Sequence, residues 1–135
     1  MTSMSSINSE LVRFAKSVCK NAYAPYSKFA VGCAILSENG HYYSGANVEN
    51  LSFGLTICAE RAAVFNGVSK EGPSFRIKEL VVYTNSEMPI TPCGACLQVL
   101  REFGSNFKVI SISESGGQFD HALGELLPFP PDIQL

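Results

Sequence analysis

The chain switches between two hydrophobic periodicities, and the switches divide it into predicted helices and strands. Apolar residues three or four positions apart are typical of a helix with one buried face. Short apolar runs between turn residues are typical of strands. The helical pattern predicts helices over residues 7–22, 58–68, 93–103 and 123–127. The strand pattern predicts strands over residues 29–36, 41–49, 79–84 and 107–113.

The order of these segments predicts a layered α/β fold. Residues 38–40 (ENG) form a hairpin turn, so the first two strands should pair antiparallel. The later strands alternate with helices, which favours parallel pairing. With 135 residues the chain is long enough to build a hydrophobic core, and we expect a single domain over residues 1–135.

Composition and charge indicate which binding partners and which cellular compartments the sequence disfavours. A net charge of −2 argues against binding to a nucleic acid backbone, which usually requires a basic face. No apolar run is long enough to span a membrane, and the Ser-rich first residues lack the basic and apolar regions of a secretory signal. We therefore expect a reduced, cytoplasmic protein without disulfides.

Two of the five cysteines, Cys93 and Cys96, form a C-x-x-C motif directly after Thr91 and Pro92. Thr91 can cap a helix and Pro92 suits its first position, so both cysteines should lie on one face of the first turn. The helix dipole stabilises thiolates there. A redox pair and a metal site both require thiolates, so the motif alone leaves both interpretations open.

Cys58 begins the other cysteine-containing helix and is the third candidate ligand. Three protein ligands with an open fourth position are typical of catalytic zinc, whereas structural zinc sites usually have four. His41 and His121 keep no ligand spacing with a cysteine, and we interpret them as surface residues. Cys19 and Cys33 lie among apolar neighbours, which indicates small core residues.

Two charged residues follow Cys58 on the same predicted helix. Glu60 can take a proton from a metal-activated water and pass it to a leaving group, although a first-turn glutamate can also simply complement the helix dipole. Arg61 can donate hydrogen bonds to the thiolates, or it can be an exposed helix arginine. The excess negative charge of zinc with three thiolates favours the first interpretation of Arg61.

Residues 58–60 (CAE) and 92–96 (PCGAC) together resemble the signature of the zinc nucleoside and nucleobase deaminases, in its three-cysteine form. The resemblance is more specifically to small cytidine deaminases, and it extends over nearly the whole chain in the expected order. The matching segments are residues 24–32, 45–50, 57–63, 92–104 and 124–128.

This resemblance implies a three-layer α/β/α fold with a mixed five-stranded sheet, an initial antiparallel hairpin and then parallel strands. It implies one Zn²⁺ per subunit and hydrolytic deamination of cytidine and 2′-deoxycytidine, releasing ammonia and serving pyrimidine salvage. Water activated by the zinc would attack ring C4, and Glu60 would carry its proton to N3 and then to the leaving amine. The implied assembly is a homotetramer without nucleic acid or membrane partners.

The resemblance also assigns substrate contacts. It places Phe29 against the pyrimidine ring and the backbone of Ala59 at the pyrimidine carbonyl. It implies that Asn47 and Glu49, which project to the same side of a strand end, bind the ribose hydroxyls. From the residues alone, Phe29 would suit core packing, and residues 47–50 would be polar residues entering a turn.

Two departures from the family pattern affect the site. Leu97 stands where many relatives carry arginine, which leaves the hydrogen bonds to the thiolates to Arg61 and Gln98. The family places two aromatic residues in a neighbouring subunit's site, here Phe53 and Phe129. Phe129 follows residues 126–128 (LLP) directly, so the spacer before it is shortened.

Two rival functions remain at this stage. One is deamination of a modified or antibiotic cytosine nucleoside, against which Arg61 and residues 29–32 favour the plain nucleoside. The other is a non-catalytic zinc or thiol–disulfide module, against which Glu60 and the absence of a fourth ligand both count. A polynucleotide substrate is disfavoured because the sequence supplies no basic channel or stacking platform.

Overall fold

The computed structural model describes residues 7–131, in which five strands form one mixed sheet between helices. The strands are β1 (Val31–Ser37), β2 (Tyr42–Ala46), β3 (Ile77–Thr84), β4 (Lys108–Ser113) and β5 (Gln118–Ala122). The helices are α1 (Ser9–Cys19), α2 (Ala59–Glu71), α3 (Gly94–Arg101) and α4 (Leu123–Leu126). The predicted fold class, α/β with a mixed five-stranded sheet, is confirmed.

The sheet has the strand order β2-β1-β3-β4-β5. The predicted hairpin is confirmed, since β1 pairs antiparallel with β2 around a turn in which Gly40 has a φ of 86°. Parallel pairing is found between β3 and β4, whereas β1 is antiparallel to β3. The hydrophobic pattern did not locate β5, which runs antiparallel to β4 because only the short turn of residues 114–117 connects them.

Helices cover both faces of the sheet and produce the three predicted layers. On one face α1 packs on β1 and β3. The buried residues of this core are Leu11, Ala15, Ala34, Val81, Ile110 and Ile112. On the other face α2, α3 and α4 cover a larger core that includes Val64, Phe75, Leu80, Val82, Leu100 and Val109. Cys19 and Cys33, which the sequence predicts to be core residues, are buried.

Two glycines allow the helices to approach the sheet closely. A Cβ on Gly32 in β1 would lie 2.2 Å from the carbonyl oxygen of Ala15 in α1. A Cβ on Gly45 in β2 would lie 2.4 Å from the backbone nitrogen of Ala63 in α2. Any larger residue at either position would push a helix away from the sheet.

The first helix is shorter than predicted at both ends. Asn8 is its N-cap, because the Asn8 side-chain oxygen accepts hydrogen bonds from the backbone N–H groups of Glu10 and Leu11. The helix ends at Cys19 because the chain then turns to pair Tyr23 with Val48. Strand β2 likewise ends at Ala46, before its predicted limit at residue 49, and Val48 beyond it pairs with Tyr23 and Ile57 instead of β1.

Candidate active site and metal centre

The three predicted metal ligands lie at the beginnings of α2 and α3. Cys58 is the N-cap of α2, Cys93 is the N-cap of α3, and Cys96 is the third residue of α3. The predicted cap at Thr91 is wrong. Cys93 has extended backbone angles (φ −70°, ψ 169°), so the helix begins after it and its Sγ turns towards the other two cysteines.

The three Sγ atoms lie within 4.8 Å of one another. Tetrahedral zinc with Zn–S bonds of about 2.3 Å requires sulfur atoms about 3.8 Å apart, so a small adjustment would let them hold one ion. Within residues 7–131 no other group of three histidine, cysteine or acidic side chains converges in this way. The donor set therefore fits zinc, and convergence of three thiols favours a metal site over a two-cysteine redox pair.

Arg61 reaches the cysteine cluster from the same helix as Cys58. Its Nη2 donates a hydrogen bond to Cys58 Sγ over 3.4 Å. The neighbouring Cys96 thiol and Arg61 together lower the pKa of Cys58 to about 5. Proximity to Cys58 raises the pKa of Cys96, which favours the protonated thiol there. Metal coordination would displace that proton, because thiolates are the ligands.

Glu60 is the second residue of α2, and only 4% of its surface is exposed. Burial raises its pKa to about 7, and the neighbouring Cys58 thiolate contributes in the same direction. A glutamate that only complements a helix dipole has no need to be buried. A carboxyl group that titrates near neutral pH can both accept and donate a proton.

A cavity of about 190 Å³ adjoins the cysteines at the sheet edge where β1 begins and β2 and β3 end. Its lining is mainly apolar and brings together four of the predicted site residues with two of the ligands. The lining residues are Phe29, Val31, Asn47, Thr56, Cys58, Ala59, Glu60, Ile90, Thr91 and Cys93. No sequence pattern indicated Thr56 or Ile90, since each reaches the cavity only through the path of its loop.

Glu49 lines a second, adjacent cavity together with Tyr26, Ser27, Phe53 and Thr56. Thr56 borders both cavities, so the two are neighbouring parts of one cleft. A hydrogen bond from the Ser27 hydroxyl is the main reason why the pKa of Glu49 is lowered. Backbone N–H groups of Ser27 and Tyr26 contribute to the same shift.

The Asn47 side chain forms two hydrogen bonds with the backbone at the beginning of β1 and just before it. Its side-chain oxygen accepts a hydrogen bond from the Val31 N–H (2.9 Å), and its amide donates to the Phe29 carbonyl (2.8 Å). Asn47 therefore fixes the position of the backbone that carries Phe29, the aromatic residue of the cavity lining.

The remaining predicted residues lie outside these cavities or at their rim. Phe53 is 74% exposed, and its ring centroid lies 6.0 Å from that of Tyr26. Phe129 is 93% exposed near the end of the described chain. Gln98 is exposed on α3 and makes no side-chain hydrogen bond with any described residue, so Arg61 is the thiolate donor that the structure brings into place.

The chain is similar to known proteins over most of its length. A family model described as the cytidine and deoxycytidylate deaminase zinc-binding region matches residues 5–112. A cytidine deaminase of Sporosarcina psychrophila is 41% identical over 120 residues, which are 88% of this chain and 87% of that protein.

A probable cytidine deaminase of Dictyostelium discoideum is 44% identical over 108 residues, which are 79% of this chain and 71% of that protein. The crystal structure of a cytidine deaminase from Burkholderia pseudomallei superimposes with a TM-score of 0.85 at 36% identity, covering 93% of this chain and 99% of that one. The cysteines and the buried glutamate lie in the region that the family model matches, and the chain belongs to the cytidine and deoxycytidylate deaminase family.

Proposed function

We propose that this protein is a zinc-dependent hydrolase that converts cytidine and 2′-deoxycytidine, with water, to uridine and 2′-deoxyuridine with release of ammonia. One observation carries the proposal. The buried carboxyl group of Glu60 lines the same apolar cavity as Cys58 and Cys93, two of three converging thiols. A closed structural zinc site would need neither the cavity nor the carboxyl group.

The metal and Glu60 have separate tasks. Cys58, Cys93 and Cys96 would hold the zinc, which when bound would supply a water of lowered pKa and Lewis acidity for attack on the ring carbon that carries the amine. Glu60 takes the proton that the attacking water loses, protonates ring N3, and assists proton transfer to the exocyclic nitrogen as ammonia departs. Burial of Glu60 keeps bulk water from competing for these protons.

The cavity walls orient the nucleoside. Phe29 offers an aromatic edge or face to the pyrimidine, and the backbone of Ala59 contacts the pyrimidine carbonyl. Asn47 lines the smaller cavity, Glu49 lines the larger one, and Thr56 borders both, which suits a base in the smaller cavity and a sugar where the two cavities meet. The amide then donates to, and the carboxylate accepts from, the sugar hydroxyls.

The test is release of ammonia from cytidine, 2′-deoxycytidine and free cytosine by the purified protein, with zinc quantified in the same sample. We expect turnover of both nucleosides and poor turnover of cytosine, which lacks the sugar. Turnover restricted to a modified cytosine nucleoside would replace the proposed substrate. Absence of any deamination by zinc-loaded protein would leave the non-catalytic zinc module as the better interpretation.

We also propose that the protein assembles as a homotetramer. Five large apolar side chains of the described residues, those of Leu51, Phe53, Leu55, Met88 and Phe129, are at least 65% exposed, a costly arrangement for a monomer. Leu51, Phe53 and Leu55 lie on the loop before α2, beside the cleft, where a neighbouring subunit could complete the site. Light scattering on purified protein should give about four times the chain mass, and a monomer that deaminates cytidine would contradict this assembly.

We further propose one catalytic domain, a cytoplasmic location and a role in pyrimidine salvage. Helices on both faces of one sheet support the single domain. All five cysteines are free, and thiolate ligands persist best in a reducing compartment. No described helix is long and apolar enough to cross a membrane.

A further inference from the structure

The turn before β1 is fastened to the end of the hairpin by one carboxylate. Glu49 Oε1 accepts hydrogen bonds from the backbone N–H groups of Tyr26 (3.0 Å) and Ser27 (3.1 Å). Glu49 Oε2 accepts a hydrogen bond from the Ser27 hydroxyl. The same hydroxyl oxygen accepts a hydrogen bond from the Phe29 N–H over 3.0 Å. Ser27 thus links Glu49 to the backbone that carries Phe29.

The backbone of this turn is strained at the next residue. Lys28 has a φ of 61°, and within residues 7–131 it is the only residue other than glycine with a positive φ. Such a conformation persists where the surrounding contacts hold it, and it is most frequent at functional sites. The Lys28 N–H donates to the Ala24 carbonyl over 3.0 Å, and the hydrogen bonds of Ser27 and Phe29 hold the residues on either side of Lys28.

The Glu49 carboxylate has few free acceptor positions, which limits how many further hydrogen bonds it can accept. An ionised carboxylate offers about four lone-pair positions, two on each oxygen. Oε1 already accepts two hydrogen bonds and Oε2 accepts one. One acceptor position therefore remains, and it is on Oε2, the oxygen that accepts from the Ser27 hydroxyl.

We propose that Ser27 is a positioning residue for the nucleoside sugar. Its hydroxyl fixes the Glu49 carboxylate so that Oε2 keeps one acceptor position for a single sugar hydroxyl, and it ties that carboxylate to the Phe29 backbone. This inference rests on the proposed deaminase function and extends it, because Ser27 acts through Glu49 rather than by touching the substrate.

The experiment compares the parent with S27A and S27T on two substrates, cytidine and 2′,3′-dideoxycytidine, which lacks both sugar hydroxyls of the ring. Loss of one hydrogen bond to the carboxylate should lower kcat/KM for cytidine about tenfold, mainly through KM. The loss with dideoxycytidine should be much smaller. S27T keeps the hydroxyl and should restore most of the activity on cytidine.

Two comparisons make the result specific. S105A makes the same chemical change at an exposed position between α3 and β4, and it should match the parent on both substrates. In an E49Q background, S27A should add little further loss on cytidine, since both changes act on one contact. Equal losses on the two substrates, or no loss, would overturn the positioning role while leaving the deaminase function intact. A zinc-loaded parent inactive on both substrates would instead overturn the function itself.

Discussion

Burial distinguishes Glu60 from an ordinary first-turn glutamate. The chain contains a natural comparison, because Glu10 is the second residue of α1 just as Glu60 is the second residue of α2. Glu10 is exposed and pairs with Arg13, whereas Glu60 is buried beside Cys58. The same position in two helices thus gives a surface ion pair in one case and a candidate catalytic group in the other.

Glu60→Gln should keep the fold and the zinc but lose most of the deamination, because an amide of the same shape cannot carry a proton. Proton transfer by one positioned group is worth about 10²–10⁴-fold in rate. The measurement is kcat on cytidine, with zinc content and circular dichroism as checks. Glu10→Gln is the matched control and should retain full activity. A Glu60→Gln protein within a few-fold of the parent would exclude the mechanism.

Arg61 offsets negative charge at the three cysteines. Replacement by Gln keeps helix propensity but removes the donor to Cys58, so zinc affinity should fall by about 10–100-fold, as is typical for residues that support metal ligands. Chelator competition measures this directly. Arg13→Gln changes an exposed arginine with the same three-residue spacing to its partner, and it should leave zinc affinity unchanged. Equal affinity in the Arg61 variant would return that residue to a surface role.

The sequence was sufficient to predict which three cysteines converge and to single out Glu60, but not to predict the contacts of Glu49. The CAE and PCGAC motifs place their residues on helix beginnings, where local spacing determines which side chains are neighbours. The hydrogen bonds that Glu49 accepts from Tyr26 and Ser27 join residues more than twenty positions apart, and no periodicity in either segment indicates them. Likewise, Gln98 was assigned from a family pattern, and its exposure depends on how α3 sits on the sheet.

At the scale of elements, predictions succeeded where the hydrophobic signal was strong. Strands β1, β3 and β4 are buried along most of their length and rich in apolar residues, and they were found within about two residues of their ends. The edge strand β5 (QFDHA) was missed because it is polar and only half-buried. The start of α3 was misplaced because Thr91 and Pro92 form a local capping pattern, whereas the convergence of Cys93 with Cys58 is a tertiary feature.

The end of α2 is fastened to the hairpin by Glu71. Its carboxylate accepts hydrogen bonds from the Ser37 hydroxyl (2.7 Å), the Asn39 amide (2.9 Å) and the Tyr43 hydroxyl (2.9 Å). Partial burial would raise the pKa of Glu71, but these hydrogen bonds outweigh it and hold the pKa below its usual range. Because Cys58 is the N-cap of the same helix, this contact helps to hold the cysteine end of α2 in place.

Glu71→Ala should lower the free energy of unfolding by about 1–3 kcal/mol at pH 7. The folded pKa lies below the unfolded value of about 4.3, so the stabilisation is present above that pH and is lost as the pH falls through the folded pKa. Urea unfolding of parent and variant at neutral and acidic pH should therefore show a gap that narrows on acidification. Glu38→Ala, at an exposed hairpin position, is the control. A gap independent of pH would assign the effect to packing alone.

At the scale of the whole molecule, the metal centre exists only because two chain segments meet. Cys58 and Cys93 are separated in sequence by α2 and β3, and the sheet brings both helix beginnings to the edge where β3 ends. Zinc that binds this arrangement binds the folded chain and stabilises it against unfolding. Metal content, fold stability and activity should therefore change together.

Purified protein should contain about one zinc per chain, measured by elemental analysis, and a strong chelator should lower its thermal midpoint and abolish deamination. Cys93→Ala tests the site with little disturbance of packing, since Cys93 is exposed, and it should lose zinc. Cys19→Ala removes a buried thiol that lies away from the metal centre, so this variant should retain its zinc even if its fold is less stable. Restoring zinc to the chelated parent should recover both stability and activity. A fully active sample with a Cys93–Cys96 disulfide, or one without zinc, would contradict a three-thiolate centre, because those sulfurs cannot then be ligands.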